Sequence, residues 1–252
     1  MAYINCHLHS KYLAHETQIS ILIPDDLKEI PADGCKVLYL LHGRGDDCTS
    51  WVRNSNIERY AKEREILVVM PSAETSFYVN GINGKRFYSY ITEELPRWIR
   101  RWLPVSEKPE RTFLAGLSMG AYGTLRVGLT HPERFAMIGI FSAGIRPDLL
   151  PDFEDTDEGN EILHENIRAA FGPSGISDKD DPYSLIKELK TEGRRIPPIL
   201  HFEGREDMLY EMNAQFRDFA ISQNIDYRYG EWEGGHDWIF WDEALRRLCA
   251  EI

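Results

Sequence analysis

The chain has 252 residues, with 29 Lys and Arg against 41 Asp and Glu, which gives a formal net charge of -12. This balance argues against nucleic acid or an anionic membrane as a partner, because both attract basic surfaces. Hydrophobic residues make up 42% of the sequence, which is enough for the core of one large α/β domain covering residues 1–252.

Short apolar runs bounded by turn residues predict strands that alternate with helices. The N-terminal part, through 17–24, predicts one or two antiparallel edge strands. The later runs are almost continuously apolar, which is typical of central parallel strands that helices cover on both faces. These runs lie at 37–41, 66–70, 112–115, 135–141, 199–202 and 226–232. The sequence therefore predicts an α/β fold with a mostly parallel central sheet flanked by helices.

Helices are predicted at 91–103, 119–130, 207–222 and 237–248. In the first of these, Pro96 predicts a kink or a late start, because proline has no backbone N–H to donate. The segment 144–198 interrupts the alternation with two possible short helices and an acidic stretch at 152–158. We expect this insertion to cover the active site as a small lid at the carboxyl ends of the strands. The alternative is a solvated surface excursion.

The pentapeptide Gly116–Gly120 has the pattern G-x-S-x-G, with Ser118 at its centre. An apolar strand at 112–115 precedes the motif and a helical stretch follows it. This strand–turn–helix setting is typical of the nucleophile elbow of α/β-hydrolases, in which a strained turn exposes the serine hydroxyl above the sheet. Glycines are required beside the serine because a Cβ would collide with the neighbouring strand or helix. Ser118 is the predicted nucleophile.

A serine hydroxyl needs a base, and in this fold the acid and then the histidine follow the nucleophile along the chain. His236, in the loop at 234–238 after the last strand, is the predicted base. Asp207, in the loop after the penultimate strand, is the predicted acid that orients it. The weaker histidine candidates are His131, His164 and His201. The rivals for the acid are Glu203, Glu206 and Asp237.

Acyl transfer also needs donors for the oxyanion that develops on the substrate. The backbone N–H of Met119, the residue after the nucleophile, is one predicted donor. The loop after the strand at 37–41 should supply the second, from the N–H of Arg44 or, as second choice, of Gly43. We expect His42 to brace this loop rather than to take part in the chemistry.

The remaining features of the sequence have structural explanations. His7 and His9 would share one face of a strand, but no third ligand is evident, so no metal site is predicted. Nothing else in the sequence indicates a cofactor. Aromatic residues at 77–90 could wall a substrate pocket or pack in the core, and Trp238 and Trp241 should pack the last helix on the sheet.

The four cysteines are scattered and form no CxxC pair, which predicts free thiols in a reducing compartment. The N-terminal residues lack the basic start and apolar core of a signal peptide. No run approaches the roughly 20 apolar residues that a membrane span needs. We therefore expect a cytoplasmic protein.

With these motifs in place, the sequence resembles the esterase D-like branch of the α/β-hydrolases, particularly the bacterial tributyrin and acetyl esterases. The resemblance spans nearly the whole chain. Its more specific elements lie at 40–43 with Trp51, 70–72, Tyr90 with 94–96, 116–123, Gly204 with 207–210, and 234–238. That branch hydrolyses short-chain acyl esters, and its relatives include S-formylglutathione hydrolases and feruloyl esterases. The resemblance also implies a possible homo-oligomer.

The predicted function is a serine carboxylesterase that cleaves small short-chain acyl esters through an acyl-enzyme, without a cofactor. Two alternatives within the enzymes are an S-formylglutathione thioesterase and an esterase for feruloyl or acetylated-sugar esters. A catalytically inactive hydrolase fold that serves as a binding module is the alternative from another class. Such modules usually lose a member of the triad, whereas Ser118, Asp207 and His236 are all present.

Overall fold

The fold is seen in a computed structural model that describes residues 1–150, 152 and 156–252. Part of the acidic stretch predicted in the insertion, at 153–155, lies outside the described residues. Across the described residues, eight strands form one sheet. They are β1 (Ala2–Ser10), β2 (His15–Ile23), β3 (Lys36–Leu41), β4 (Ile66–Pro71), β5 (Thr112–Leu117), β6 (Met137–Phe141), β7 (Ile199–Gly204) and β8 (Tyr227–Trp232).

The helices fall between the strands. They are α1 (Ser50–Asn54), α2 (Ile57–Arg64), the single turn α3 (Phe87–Ser89), α4 (Leu95–Trp102), α5 (Met119–Thr130), α6 (Asp157–Phe171), α7 (Pro182–Thr191), α8 (Tyr210–Ser222) and α9 (Trp238–Glu251). A π-helical turn at Tyr90–Glu94 joins α3 to α4. Pro96 lies in the first turn of α4, where its missing N–H breaks no hydrogen bond. The helical run begins at Phe87, before the predicted 91, so a late start is wrong, and the irregularity next to the proline is the π-helical turn.

The strand order is β1-β2-β4-β3-β5-β6-β7-β8. The first two strands pair antiparallel with each other and β2 pairs antiparallel with β4, while the ladders from β4 through β8 are parallel. This is the mostly parallel α/β-hydrolase sheet that the sequence predicts. Because the carboxyl ends of β3, β5, β6, β7 and β8 meet at one edge, the loops that follow them converge there.

Alternate residues of the central strands face opposite sides, and each side carries its own apolar core. On one side, Tyr39 and Leu114 pack with α4 and α5. On the other, Leu38 and Phe113 pack with α1, α2 and α9. The two cores bury both faces of the parallel strands, which explains why those strands read as continuous apolar runs.

Several predicted boundaries were wrong in detail. Strand β6 begins at Met137 rather than 135, because a 3-10 turn at Pro132–Arg134 and its exit occupy the preceding residues. Helix α8 begins at Tyr210 rather than at Asp207, so this carboxylate lies in a loop. The sequence reading missed α1 and α2, which are short.

The insertion contains two helices, α6 and α7. The hydroxyl of Thr156 caps α6 by accepting the N–H of Gly159 at 3.0 Å. Helix α7 packs on α5, and the preceding loop is fixed by a buried ion pair between Arg126 and Asp180. The hydroxyl of Tyr122 also donates to the Asp180 carbonyl at 2.8 Å. These contacts join the insertion to the helix that follows Ser118.

Candidate active site

Ser118 lies at a sharp turn between β5 and α5. Its backbone has φ +51° and ψ -114°, a strained conformation for a residue with a side chain. A Cβ on Gly116 would lie 2.5 Å from the backbone of Gly120, and one on Gly120 would lie 2.6 Å from the carbonyl of His42. Both glycines are therefore required for steric reasons, as the motif predicts. The turn is fixed by the Ser118 N–H, which donates to the Phe141 carbonyl of β6 at 2.9 Å.

Three side chains from three different loops form one hydrogen-bonded line at this edge of the sheet. Nε2 of His236 lies 3.0 Å from Oγ of Ser118. Nδ1 of the same ring lies 2.9 Å from Oδ2 and 3.1 Å from Oδ1 of Asp207. With Nδ1–H donating to the carboxylate, Nε2 presents its lone pair to the serine O–H. The ring is thus oriented to accept that proton.

The carboxylate of Asp207 is inaccessible to solvent, and its charge is stabilised by donors. Burial alone would raise the pKa of Asp207, but hydrogen bonds and the charge of His236 outweigh it. The N–H of Leu209 donates to Oδ1 at 2.8 Å, and the hydroxyl of Ser142 also contributes. The net effect holds the pKa of Asp207 below its usual value, so the group is an anion at neutral pH.

The loops that carry Asp207 and His236 are joined by their backbones. The N–H of Arg205 donates to the Trp232 carbonyl, and that of Glu206 to the Gly234 carbonyl, both at 3.0 Å. A Cβ on Gly204 would lie 2.2 Å from the Gly234 oxygen, so this close approach excludes any side chain. Asp207 and His236 therefore lie on two loops that hydrogen bonds hold together.

The other candidates for the acid make different contacts from those of Asp207. Asp237 caps α9 by accepting the N–H groups of Ile239 and Phe240. The side chain of Glu206 accepts the N–H of Gly234. Glu203 is fully buried within β7, and neither of its carboxyl oxygens has a hydrogen-bond partner in the described part of the chain.

The rival histidines also lie outside the hydrogen-bonded line. His131 stacks on Tyr88, and Nε2 of His164 lies 2.7 Å from a carboxylate oxygen of Asp152. His201 is buried inside β7, where burial lowers its pKa to about 3.

Two residues near the acid were missed at the sequence level. Ser142 follows β6, between the ends of β5 and β7, and its hydroxyl accepts the indole N–H of Trp241 at 3.0 Å. The Trp241 ring lies edge-on to His236, with centroids 5.0 Å apart. Trp241 is buried against the core, as predicted, but it also contacts His236 and Ser142. The position of Ser142 directly after a central strand was the available signal.

The loop after β3 is braced by His42, whose ring is fully buried. Nδ1 lies 2.7 Å from the Gly43 carbonyl, and Nε2 accepts the N–H of Ala73 at 2.9 Å. These partners require the neutral tautomer with its proton on Nδ1, and burial lowers the pKa of His42 to about 4. His42 therefore holds two loops together as an uncharged group.

This bracing also orients the peptide between Gly43 and Arg44. Because C=O and N–H point in opposite directions in a trans peptide, fixing the Gly43 carbonyl aims the Arg44 N–H away from His42. The loop is adjacent to the nucleophile, since a Cβ built on Gly43 would lie 3.7 Å from Cβ of Ser118. The N–H of Met119 begins α5 directly after Ser118.

Core packing accounts for most of the predicted aromatic group. Phe77, Tyr78, Phe87 and Tyr90 are buried in the core on the α5 side of the sheet. The Tyr78 hydroxyl donates to the carbonyl of His42 at 2.9 Å, which makes this residue a further support of the loop.

Among the residues that the structure describes, no group of three or more His, Cys, Asp and Glu side chains is placed to hold a metal ion. The segment with His7 and His9 forms the exposed edge strand β1, and Nδ1 of His9 lies 3.3 Å from Glu16. In the described part of the chain we also find no helix both long and apolar enough to cross a bilayer.

The fold and the hydrogen-bonded line define a serine hydrolase of the α/β-hydrolase fold. Residues 10–252 match the Esterase family model, described as "Putative esterase", and the chain belongs to this family. It is a serine ester hydrolase of the esterase D-like branch.

Similar proteins agree with this assignment. The chain is 31% identical to an acetyl esterase of Caldicellulosiruptor saccharolyticus, over 97% of this chain and 96% of that protein. It resembles the structure of FphF, a fluorophosphonate-binding serine hydrolase of Staphylococcus aureus, with a TM-score of 0.89, 32% identity, and coverage of 99% and 97% of the two chains. It also resembles an S-formylglutathione hydrolase, FrmB, of the same organism, with a TM-score of 0.85, 32% identity, and coverage of 99% and 98%.

Proposed function

We propose that the enzyme hydrolyses short-chain acyl esters with Ser118 as nucleophile, His236 as base and Asp207 as the acid that orients it. The observation that carries this proposal is the line in which Nε2 of His236 lies 3.0 Å from Oγ of Ser118 and Nδ1 lies 2.9 Å from Asp207. The acetyl esterase relative supports acetyl esters as substrates.

Acylation begins when Oγ of Ser118 attacks the ester carbonyl carbon and His236 takes the hydroxyl proton at Nε2. The carbonyl oxygen becomes an oxyanion, which accepts hydrogen bonds from the N–H groups of Arg44 and Met119. The tetrahedral intermediate collapses as the C–O bond to the alcohol breaks, and His236 returns its proton to the leaving oxygen. Asp207 stabilises the transient imidazolium.

Deacylation repeats these steps with water. His236 removes a proton from the water as its oxygen attacks the acyl carbon, and the same two amide N–H groups donate to the oxyanion. When the bond to Oγ breaks, the proton returns to Ser118 and the carboxylic acid departs. The chain's own residues provide the nucleophile, the base and the oxyanion donors, so the proposal includes no cofactor.

We propose that the insertion at 144–198 forms a wall of the substrate site. A cavity of about 730 Å³ lies between this segment and the start of α8, with Arg146, Tyr183, Met208 and Met212 among its lining residues. Two segments at the cavity are hydrogen-bonded to triad residues. Leu209, another lining residue, donates to Asp207, and the N–H of Gly144, two residues before Arg146, donates to the Ser118 carbonyl at 3.3 Å.

A substrate panel tests the proposed specificity. We expect kcat/KM on p-nitrophenyl esters to be highest for acetate to butyrate and to fall by at least about tenfold for octanoate, because the chain resembles esterases of short-chain acyl groups, including an acetyl esterase. An enzyme that prefers octanoate would contradict the short-chain assignment. Ser118→Ala serves as the control for background hydrolysis.

The likeness to an S-formylglutathione hydrolase favours a second candidate, a thioesterase for that substrate. Its charged peptide portion would meet Arg146, Lys187 and Glu211 at the cavity. If kcat/KM for S-formylglutathione exceeds that for p-nitrophenyl acetate by tenfold or more, the thioesterase is the main function.

Cellular location and assembly are also proposals. A cytoplasmic location is supported by the free thiols of Cys6, Cys35, Cys48 and Cys249, which a reducing compartment would preserve.

We propose a small-molecule ester as the partner, and the net charge of -12 disfavours nucleic acid and anionic membranes. We propose a homo-oligomer on the basis of the resemblance, and light scattering would measure the mass of the assembly.

A further inference from the structure

A second cavity lies at the opposite end of the sheet from Ser118. It has a volume of about 540 Å³ and lies among the amino-terminal halves of β3 and β5, helix α4 and the turn at Pro132–Arg134. Thr112 at its edge begins β5, and Ser118 follows the end of that strand. Leu114, the lining residue of β5 nearest to the nucleophile, lies four residues before Ser118, so at about 3.3 Å per residue roughly 13 Å of strand separate the two sites. The two sites are distinct.

The floor of this cavity is largely apolar, but the buried hydroxyl groups of Tyr39, Thr92 and Ser106 also line it. The Thr92 hydroxyl donates to the Tyr88 carbonyl at 2.8 Å, and the Ser106 hydroxyl accepts the N–H of Lys108 at 3.2 Å. Val37, Ile91, Leu114, Val127 and Phe135 line the floor, and each is at least nine-tenths buried. Tyr39 also lines it and is 6% exposed. Its hydroxyl forms no hydrogen bond with the part of the chain that the structure describes. Burial raises the pKa of Tyr39 far above its usual value, so the group is a neutral donor.

The rim of the cavity carries two available cations. Arg97 and Arg100 lie three residues apart on α4 and therefore on one face of that helix. Neither forms a hydrogen bond or an ion pair with a described residue. Arg100 is near enough to Tyr39 for its charge to act on the phenol.

The other charged residues at the rim are largely engaged. Arg134 pairs with Glu133 at 3.3 Å, and Glu93 accepts a hydrogen bond from Tyr12. Glu107 is the remaining acid among the lining residues. Three acids and three arginines line the cavity, so their formal charges balance. The charge of Arg100 reaches the Tyr39 hydroxyl, so the part of the mouth beside this phenol is positive, which favours an anionic group there.

We propose that this cavity binds a small organic carboxylate with an apolar body. The apolar body fills the floor, the Tyr39 hydroxyl donates to the carboxylate, and Arg97 and Arg100 pair with its charge. The volume falls within the range of small-molecule sites, which is about 300–1,000 Å³. Guanidinium groups suit this role because they can bind a carboxylate through two parallel hydrogen bonds.

Titration calorimetry with octanoate tests the proposal on the whole chain, after the active-site serine has been capped with a fluorophosphonate. If the serine resists capping, Ser118→Ala replaces it, so failure of the proposed function leaves this test intact. We expect one saturable site for octanoate. 1-Octanol, which has the same chain without the charge, should bind at least about tenfold more weakly.

Three variants locate the site. Arg97→Gln with Arg100→Gln should raise the Kd for octanoate about tenfold or more, and Tyr39→Phe should raise it about threefold. Arg101→Gln is the matched control: it removes the same charge from the same helix, but its guanidinium lies over the Trp102 ring. This control should leave the Kd unchanged.

Three results would overturn the proposal: no saturable octanoate binding, equal binding of octanoate and 1-octanol, or an unchanged Kd in the double variant. If octanoate does not bind and the double variant instead lowers the mass of the assembly in light scattering, this face is an interface between copies of the chain. That outcome also contradicts a carboxylate site.

Discussion

The indole Nε1 of Trp241 donates a hydrogen bond of 3.0 Å to the hydroxyl of Ser142. The same ring lies edge-on to the imidazole of His236. Since Ser142 in turn supports the carboxylate of Asp207, helix α9 positions both the acid and the base through a single side chain. The geometry of the triad therefore depends on residues outside it.

Ser142→Ala removes the hydroxyl that helps to lower the pKa of the buried Asp207 carboxylate, while the donors from His236 and Leu209 remain. A hydrogen bond to a charged group contributes about 1.5–3 kcal/mol, and part of that should be lost from transition-state stabilisation. We expect kcat for p-nitrophenyl acetate to fall roughly 5- to 30-fold with KM unchanged. A rise in KM with no change in kcat would place Ser142 in substrate binding instead.

Asp207→Asn tests the orienting role of the acid. The amide is similar in shape but can present an N–H to Nδ1, which favours the tautomer with its proton on Nε2. The serine hydroxyl would then face a donor rather than an acceptor. We expect kcat to fall by roughly 10⁴-fold while the circular dichroism spectrum is retained. Activity within tenfold of the wild type would show that another group orients His236.

Glu203→Gln should change the pH dependence of stability. Burial, followed by the nearby charges of Asp207 and Glu231, raises the pKa of Glu203 well above its usual value. In the unfolded chain the group ionises near pH 4.3. Between that pH and its folded pKa the native state binds more protons, so the contribution of Glu203 to stability is present below about pH 4.3 and is lost as pH rises.

The glutamine side chain cannot ionise, so the variant should lose less stability than the wild type between pH 5 and pH 8. Thermal unfolding at both pH values measures this difference. The expected gain for the variant approaches about 1.4 kcal/mol per pH unit where Glu203 is titrating only in the unfolded state. Glu161→Gln, an exposed change on α6, is the control. Parallel pH curves for wild type and Glu203→Gln would show that Glu203 is ionised in the fold.

Two changes at Arg44 separate its backbone from its side chain. Arg44→Ala keeps the proposed oxyanion donor, and kcat for p-nitrophenyl acetate should remain within about threefold of the wild type. Arg44→Pro removes the N–H and should lower kcat by about 10²- to 10³-fold, the usual loss for one such donor. If both variants lose activity equally, the donor lies elsewhere in the loop, with Gly43 as the next candidate.

The sequence predicted the sheet, and it selected three side chains that the structure places in one hydrogen-bonded line. Local sequence patterns carry both predictions. The G-x-S-x-G motif requires a strand before it and a helix after it, and the chain order of the fold then narrows the search for Asp207 and His236. Short apolar runs locate the central strands because both of their faces are buried. The motif and the apolar runs can both be recognised from residues that are adjacent in the sequence.

Features that depend on tertiary contacts were harder to predict. Ser142 reaches Trp241 across 99 positions in the chain, and no local pattern connects a serine after β6 with an indole in α9. The sequence also does not reveal that the Tyr39 hydroxyl has no hydrogen-bond partner among the described residues, because a tyrosine in an apolar strand resembles any other core residue. Short helices such as α1 escape detection because five residues carry too little periodicity.

The central claim is that Ser118 forms the acyl-enzyme with the help of His236. Mixing the enzyme with p-nitrophenyl acetate, quenching in acid within the first turnover and mapping the peptides by mass spectrometry tests it most directly. We expect the mass of one acetyl group on the peptide that contains Ser118, and no such adduct in Ser118→Ala. An acetyl group on another residue, together with full turnover in Ser118→Ala, would contradict the account.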